Sequence, residues 1–197
     1  KIRGLGIPIE SKFETRRSRQ DAAVFLGVKD DLFTVLLTSG GAGIGRTGEI
    51  ARELLSLETP PQILAVCGNN RGLFEELTRL GGAGSQLKVF GFVKNMEILM
   101  DASDLVIGKS GGLTLTESLS KKKPMVILRP VPGQETRNAD CARRYRAGLV
   151  ASSVKEAVAL VRDAMMHHSM FKDLNEGVSR MARPNAARDI AAWVLSP

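Results

Sequence analysis

The stretch Thr34-Val-Leu-Leu-Thr38-Ser-Gly-Gly-Ala-Gly-Ile-Gly45-Arg-Thr-Gly48, followed by apolar residues at Ile50, Leu54, Leu55 and Leu57, decides the fold. A short apolar run bounded by glycines predicts a buried strand. The spacing after it predicts a helix, which Pro60-Pro61 stops. The same unit recurs along the chain. Ile63–Val66, Leu87–Phe90, Leu105–Ile107 and Met125–Leu128 read as strands, separated by helical patterns over Leu73–Leu80, Met96–Met100, the segment after Ser110, and Thr136–Arg146. Strands alternating with helices imply crossovers, and therefore an α/β fold with a doubly wound parallel sheet whose ligands bind at the carboxyl ends of its strands. After Val150 the pattern is helical throughout, with Trp193 and the terminal apolar stretch expected to pack on the outside.

Composition narrows the function classes. The chain has 197 residues, a formal net charge of +7, 43% hydrophobic and 25% charged residues, enough for one sizeable core. With 5% aromatic residues it offers no base-stacking platform, and nucleic acid is not expected as a partner. No apolar run approaches the length of a bilayer crossing and no leader opens the chain, so a soluble, cytoplasmic protein is expected. Cys67 and Cys141 lack a CxxC arrangement and lie far from His167 and His168, so no zinc site or disulfide framework is indicated. Residues 1–31 are polar and broken by Gly4, Gly6 and Pro8, and read as an interdomain linker or lead-in arm to a domain spanning residues 32–197.

Three loops at the predicted carboxyl edge carry the chemistry. The glycine loop 40–48 opens a helix, so its amides and the helix dipole favour an anion. It mimics a Walker A loop, but Arg46 stands where the phosphate-reaching lysine belongs; it also mimics a dinucleotide fingerprint, but the following strand ends in Cys67-Gly-Asn-Asn70 without the ribose-binding acid. The second loop, Gly108-Lys-Ser-Gly-Gly-Leu-Thr-Leu-Thr-Glu117, again delivers small residues to a helix start, with Glu117 one turn in. A carboxylate there can accept from two vicinal hydroxyls, or simply complement the dipole. The third loop places Gln134, Glu135 and Asn138 where amide and carboxylate groups can read a polyhydroxylated ring, or lie solvated beside a Pro-Gly turn. Lys109 sits inside the second loop. The run Lys121-Lys-Lys123 reads as a solvated helix cap, with a patch for anionic lipid, together with Arg16, Arg17 and Arg19 or with Arg143, Arg144 and Arg146, as the sharper alternative.

Five segments, Gly6-Ile-Pro-Ile9, Ser39–Gly45, Val89-Phe-Gly-Phe-Val93, Lys109–Glu117 and Pro130-Val-Pro-Gly-Gln-Glu-x-x-Asn138, occur in an order that resembles the C-terminal half of family 28 glycosyltransferases. Within it the sequence is most similar to monogalactosyldiacylglycerol synthases and processive diacylglycerol glucosyltransferases, and more distantly to the peptidoglycan enzyme that adds GlcNAc to lipid I. The resemblance implies the Rossmann-like donor half of a GT-B enzyme, inactive alone, with its acceptor domain before residue 1. It implies that the Phe92 and Val93 backbone reads uracil and that Glu117 holds the ribose. Ser110, Gly111, Gly112, Leu113 and Thr114 would bind the diphosphate, bordered by Gly41, Ala42 and Gly43, while Gln134, Glu135 and Asn138 orient the sugar. The catalytic base would lie in the other domain, so no catalytic residue is expected here. UDP-galactose or UDP-glucose would be the substrate, with no cofactor and no metal, and the protein would meet a lipid acceptor at the inner face of a membrane. A UDP-GlcNAc transferase of peptidoglycan synthesis, a GT-B-fold UDP-sugar epimerase and a non-catalytic nucleotide-binding module stand as alternatives.

Overall fold

The computed structural model describes residues 2–39, 46–82 and 84–196. Six strands form one parallel sheet: β1 (Thr34–Thr38), β2 (Gln62–Val66), β3 (Leu87–Phe90), β4 (Leu105–Gly108), β5 (Met125–Leu128) and β6 (Gly148–Ala151), in the order β3-β2-β1-β4-β5-β6. The helices between them are α2 (Thr47–Leu55), α3 (Arg71–Gly81), α4 (Met96–Ala102), α5 (Gly112–Ser120) and α6 (Gln134–Arg144). Helix α1 (Arg19–Leu26) precedes the sheet, and α7 (Val154–Met166), α8 (His168–Met181) and α9 (Ala186–Leu195) follow it. This is the doubly wound parallel architecture expected from the sequence.

The central strand shows why apolar runs were so readable. All five residues of β1 are buried, because the sheet is covered on both faces. The two-residue period sorts its side chains: Leu36, with Leu64 and Val106 of the neighbouring strands, packs under α1, α4 and α5, whereas Val35 and Leu37 pack with Ile63 and Leu105 under α2, α3 and α7. Leu36 and Leu64 have no exposed surface, and each such side chain contributes about 1.5–3 kcal/mol of burial. Val35 is opposite both Ile63 and Leu105, so the strand order reverses beside β1.

Several features depart from the sequence expectations. The sixth strand, Gly148–Ala151, lies where only a helix stop was expected. It begins on Gly148, which reads as the stop of the preceding helix, and the chain reverses into it through Arg146, held at φ 55°. A Cβ on Gly148 would lie 2.9 Å from the Met125 carbonyl, so glycine permits the edge strand to pair. The lead-in segment is packed structure as well. Phe13, Ala22, Ala23 and Leu26 are buried, Ser18 caps α1 by accepting from Asp21 N, and Arg19 donates to Asp104 Oδ1 at 2.5 Å, at the start of β4. In α9, by contrast, Trp193, Val194 and Leu195 are exposed, and Ala186 is the residue that packs.

The lysine run is not a solvated cap. Lys121 is 1% exposed and pairs at 2.8 Å with the equally buried Asp101 of α4, while also donating to the Thr15 carbonyl. Lys123 donates to the carbonyls of Ser103 at 2.6 Å and Asp101 at 3.3 Å, and burial pushes its pKa down to about 8. Only Lys122 of the three is exposed, so neither the cap nor the lipid patch that was read from this run describes it.

Candidate functional site

A cleft of about 640 Å³ opens at the carboxyl edge beside the strand-order reversal, lined by Thr38, Val66 and Gly68 at strand ends, by Phe92 and Val93 after β3, and by Leu113, Thr114 and Glu117 of α5. Phe92 is exposed, whereas Val93 packs against the core. The structure therefore brings Phe92, Val93, Thr114 and Glu117 to one cavity. The glycine loop residues Gly41, Ala42 and Gly43 lie outside the described residues.

Gly111 stands at the N-cap of α5 and has no side chain to cap it; the first intrahelical bond runs from Leu115 N to the Gly111 carbonyl at 3.0 Å. The amides of Gly112, Leu113 and Thr114 precede it, at the positive end of the helix dipole, in the arrangement that suits an anion. Glu117 lies half-buried on the cleft wall. Burial, then the neighbouring carboxylate of Glu10, raise its pKa above the ordinary carboxylate value, and Lys12 opposes them.

Ser110 and Asn138 serve first as braces. The buried Ser110 hydroxyl donates to the Glu135 carbonyl at 2.7 Å, and Asn138 Nδ2 donates to the Ser110 carbonyl at 2.7 Å. These bonds hold the second loop against the start of α6. Gln134 Nε2 lies 3.4 Å and Asn138 Nδ2 4.0 Å from where a Cβ on Gly112 would stand, so both amides face the first turn of α5 and a side chain at 112 would crowd them. Glu135 accepts from Val131 N through Oε2 at 3.0 Å, which fixes its own turn. The second and third loops thus converge at one edge, as the sequence spacing predicts.

Lys109 lines a different, smaller cavity of about 120 Å³ with Arg46 and Arg129, bounded by Leu37, Ile50 and Ile107 on the other face of the sheet. Arg129 is held at φ 43°, and its Nε donates to the Ser152 carbonyl at 2.7 Å. His167 caps α7 through its backbone, and its Nδ1 lies 3.0 Å from the Asp163 carbonyl. Among the described residues, no group of three or more His, Cys, Asp or Glu could hold a metal ion. No helix of these residues is long and apolar enough to cross a membrane.

Sequence reasoning missed the cleft residues contributed by the lead-in segment. Glu10, Lys12 and Phe13 line it together with Glu117, and Ile7 Cδ1 lies 3.1 Å from the Cβ position of Gly112. The signal was present in Gly6-Ile-Pro-Ile9, which leads directly into Glu10.

Residues 34–186 match the glycosyltransferase family 28 C-terminal domain. The chain belongs to this family. The family 28 domain is 30% identical over 161 residues to the processive diacylglycerol beta-glucosyltransferase of Staphylococcus aureus (strain Newman), a match that takes in 81% of this chain and 41% of that protein. The chain thus spans less than half the length of the curated relatives it matches. Among solved structures, the domain superimposes on MurG of Acinetobacter baumannii with a TM-score of 0.73 at 21% identity, covering 92% of this chain and 54% of that one. WaaG, a glycosyltransferase involved in lipopolysaccharide biosynthesis, gives 0.69 at 19% identity, covering 98% and 55%. UDP-GlcNAc 2-epimerase of Neisseria meningitidis, bound to UDP-GlcNAc, gives 0.67 at 15% identity, covering 90% and 48%. These likenesses establish the fold, that of the C-terminal half of GT-B glycosyltransferases.

Proposed function

We propose that residues 32–197 are the donor-binding domain of an inverting glycosyltransferase that moves a hexose from UDP-glucose or UDP-galactose to a diacylglycerol-type lipid. The observation that carries this reading is the convergence of the 92–93 backbone, the first turn of α5 and Glu117 on one cleft. There, backbone groups at Phe92 and Val93 would meet uracil and Glu117 would accept from the ribose hydroxyls. The amides of Gly111, Gly112, Leu113 and Thr114, with Ser110 bracing their loop, would hold the diphosphate. Gln134 and Asn138, fixed beside Gly112, would orient the hexose with Glu135. Donors aimed at the diphosphate stabilise the charge that grows on departing UDP, which is the chemistry a leaving group needs whether or not another ion assists. The acceptor-binding site and the base that deprotonates the acceptor belong, in this reading, to sequence before residue 1, and the chain by itself is inactive.

Calorimetry with UDP and each UDP-hexose tests the donor site. Glu117→Ala should weaken UDP binding at least tenfold, the loss expected for removing charge-assisted hydrogen bonds of about 1.5–3 kcal/mol. A folded protein that ignores UDP, or whose affinity survives Glu117→Ala, would sink the reading. Incubating the complete protein with diacylglycerol and each UDP-sugar identifies the acceptor. A glycolipid product supports transfer, whereas epimerised sugar formed without acceptor, a product made only on a polyprenyl-linked acceptor, or nucleotide binding without turnover would each replace it.

A further inference from the structure

Lys12 crosses from the lead-in segment to the loop after β3. Its Nζ donates to the Lys94 carbonyl at 3.1 Å, lies 3.1 Å from Glu10 Oε2, and stands 5.5 Å from the centre of the Phe13 ring. All four residues line the cleft that holds Glu117.

The segment carrying Lys12 is held from several sides. Phe13 is sunk in the core, and Glu14 pairs with Arg188 of α9 at 3.0 Å. The Thr15 carbonyl accepts from the buried Lys121, and Arg17 N donates to Asp101 Oδ2 at 3.2 Å. An ammonium delivered by so fixed a backbone can set the geometry of what it touches. What it touches is the carbonyl next to Val93. An exposed lysine on a free arm would have no such leverage, because its rotamers would absorb any bond it made.

We infer that Lys12 is a positioning residue of this pocket, bridging to the Lys94 carbonyl so that the 91–95 loop faces the base of a pyrimidine nucleotide in one fixed geometry. The inference rests on the nucleotide site proposed above and adds a residue and a role to it. Uracil and cytosine have nearly the same shape and differ along one edge, where uracil offers an N–H donor and a carbonyl and cytosine the reverse. Backbone groups can tell them apart only if the loop is held to a fraction of an ångström, since a hydrogen bond weakens steeply with misalignment. Lys12 and Glu10 line the same cavity as Glu117, and the Lys12 charge opposes the rise that Glu10 causes in the Glu117 pKa.

The test measures UDP and CDP affinities of the complete protein carrying Lys12→Met and Lys12→Arg. Lys12→Met should weaken UDP by about tenfold, the equivalent of one charge-assisted hydrogen bond, and weaken CDP much less, so that the UDP-to-CDP preference falls. Lys12→Arg, which can still donate to the carbonyl, should retain most of that preference. The acid limb of UDP binding should also move to higher pH in Lys12→Met, because Glu117 loses the cation that lowers its pKa. Equal losses for UDP and CDP would mean a merely structural role and would overturn the inference, as would an unchanged preference in Lys12→Met. A Lys12→Met protein that does not fold is read through Lys12→Gln, whose uncharged side chain is too short to keep the bridge in the same geometry and should give an intermediate preference; wild-type discrimination there overturns the inference. An unaltered protein that fails to bind UDP overturns the nucleotide reading itself, and the inference with it.

Discussion

Glu117 carries a pH dependence that can be signed in advance. In the proposed ribose contact it accepts best from two hydroxyls when ionised, and burial with Glu10 nearby raises its pKa above the ordinary carboxylate value. Protonation removes acceptor capacity, so UDP affinity should be full well above that raised value and should decline as the solution is acidified through it, at a higher pH than an ordinary carboxylate would show. Titration calorimetry across the weakly acidic range measures this, with Glu117→Gln as the comparison. The variant should bind weakly with no such decline, and an acid limb that persists in it would belong to another group. A carboxylate in the first turns of a helix was visible in the sequence. Its partners Glu10 and Lys12 were not, because they lie more than 100 positions away in a segment whose polarity reads as linker.

At the level of elements, α8 crosses the turn between α6 and β6 at a separation only glycine allows. A Cβ on Gly177 would stand 2.1 Å from the Arg146 carbonyl oxygen and 2.4 Å from that of Tyr145. The turn has little room to yield, since Arg146 is already at φ 55° and Ala147 N donates to the Ala142 carbonyl at 2.8 Å. Gly177→Ala should therefore cost about 3 kcal/mol in urea denaturation, with UDP affinity of the folded fraction unchanged. A loss within about 0.5 kcal/mol would show that α8 can move aside. Five of the six strands were legible: β1, β2, β4 and β5 as largely apolar runs buried on both faces, and the edge strand β3 through Leu87, Val89 and Phe90. The sixth was not, since it starts on a glycine soon after a helix and reads as that helix's stop. The three loops were legible as small residues at strand ends. What the sequence left open was which polar groups reach a ligand, because Ser110 and Asn138 turn out to hold each other's loops in place.

Across the whole molecule, the Lys121–Asp101 pair joins three parts of the chain that are distant in sequence: α4, the end of α5 and the lead-in segment. Both groups are buried, so the net value of the pair is small even though breaking it is costly. Asp101→Ala should lose about 3–5 kcal/mol, because it strands an ammonium in the core, whereas Asp101→Leu combined with Lys121→Met should recover most of that loss. Chemical denaturation of the two proteins decides it, and a double variant no more stable than the single one would contradict this account. A charge count alone places these lysines outside. The Asp101 carboxylate and the Thr15 carbonyl of the lead-in segment are what receive the Lys121 ammonium inside.

The place of the cleft across the reversal in strand order has a kinetic consequence. Val66, Gly68, Phe92 and Val93 come from one half of the sheet and Leu113, Thr114 and Glu117 from the other; the halves meet where Val35 pairs with Leu105, a contact that closes a long loop. A nucleotide lying across that seam finds its site only after the seam has closed. Saturating UDP should therefore slow unfolding while leaving the refolding rate near its ligand-free value, a one-armed shift of the chevron that stopped-flow measurement would reveal. A matching acceleration of refolding would place the closed seam before the transition state. In the expected case, the residence of the nucleotide governs how long the two halves of the sheet stay together.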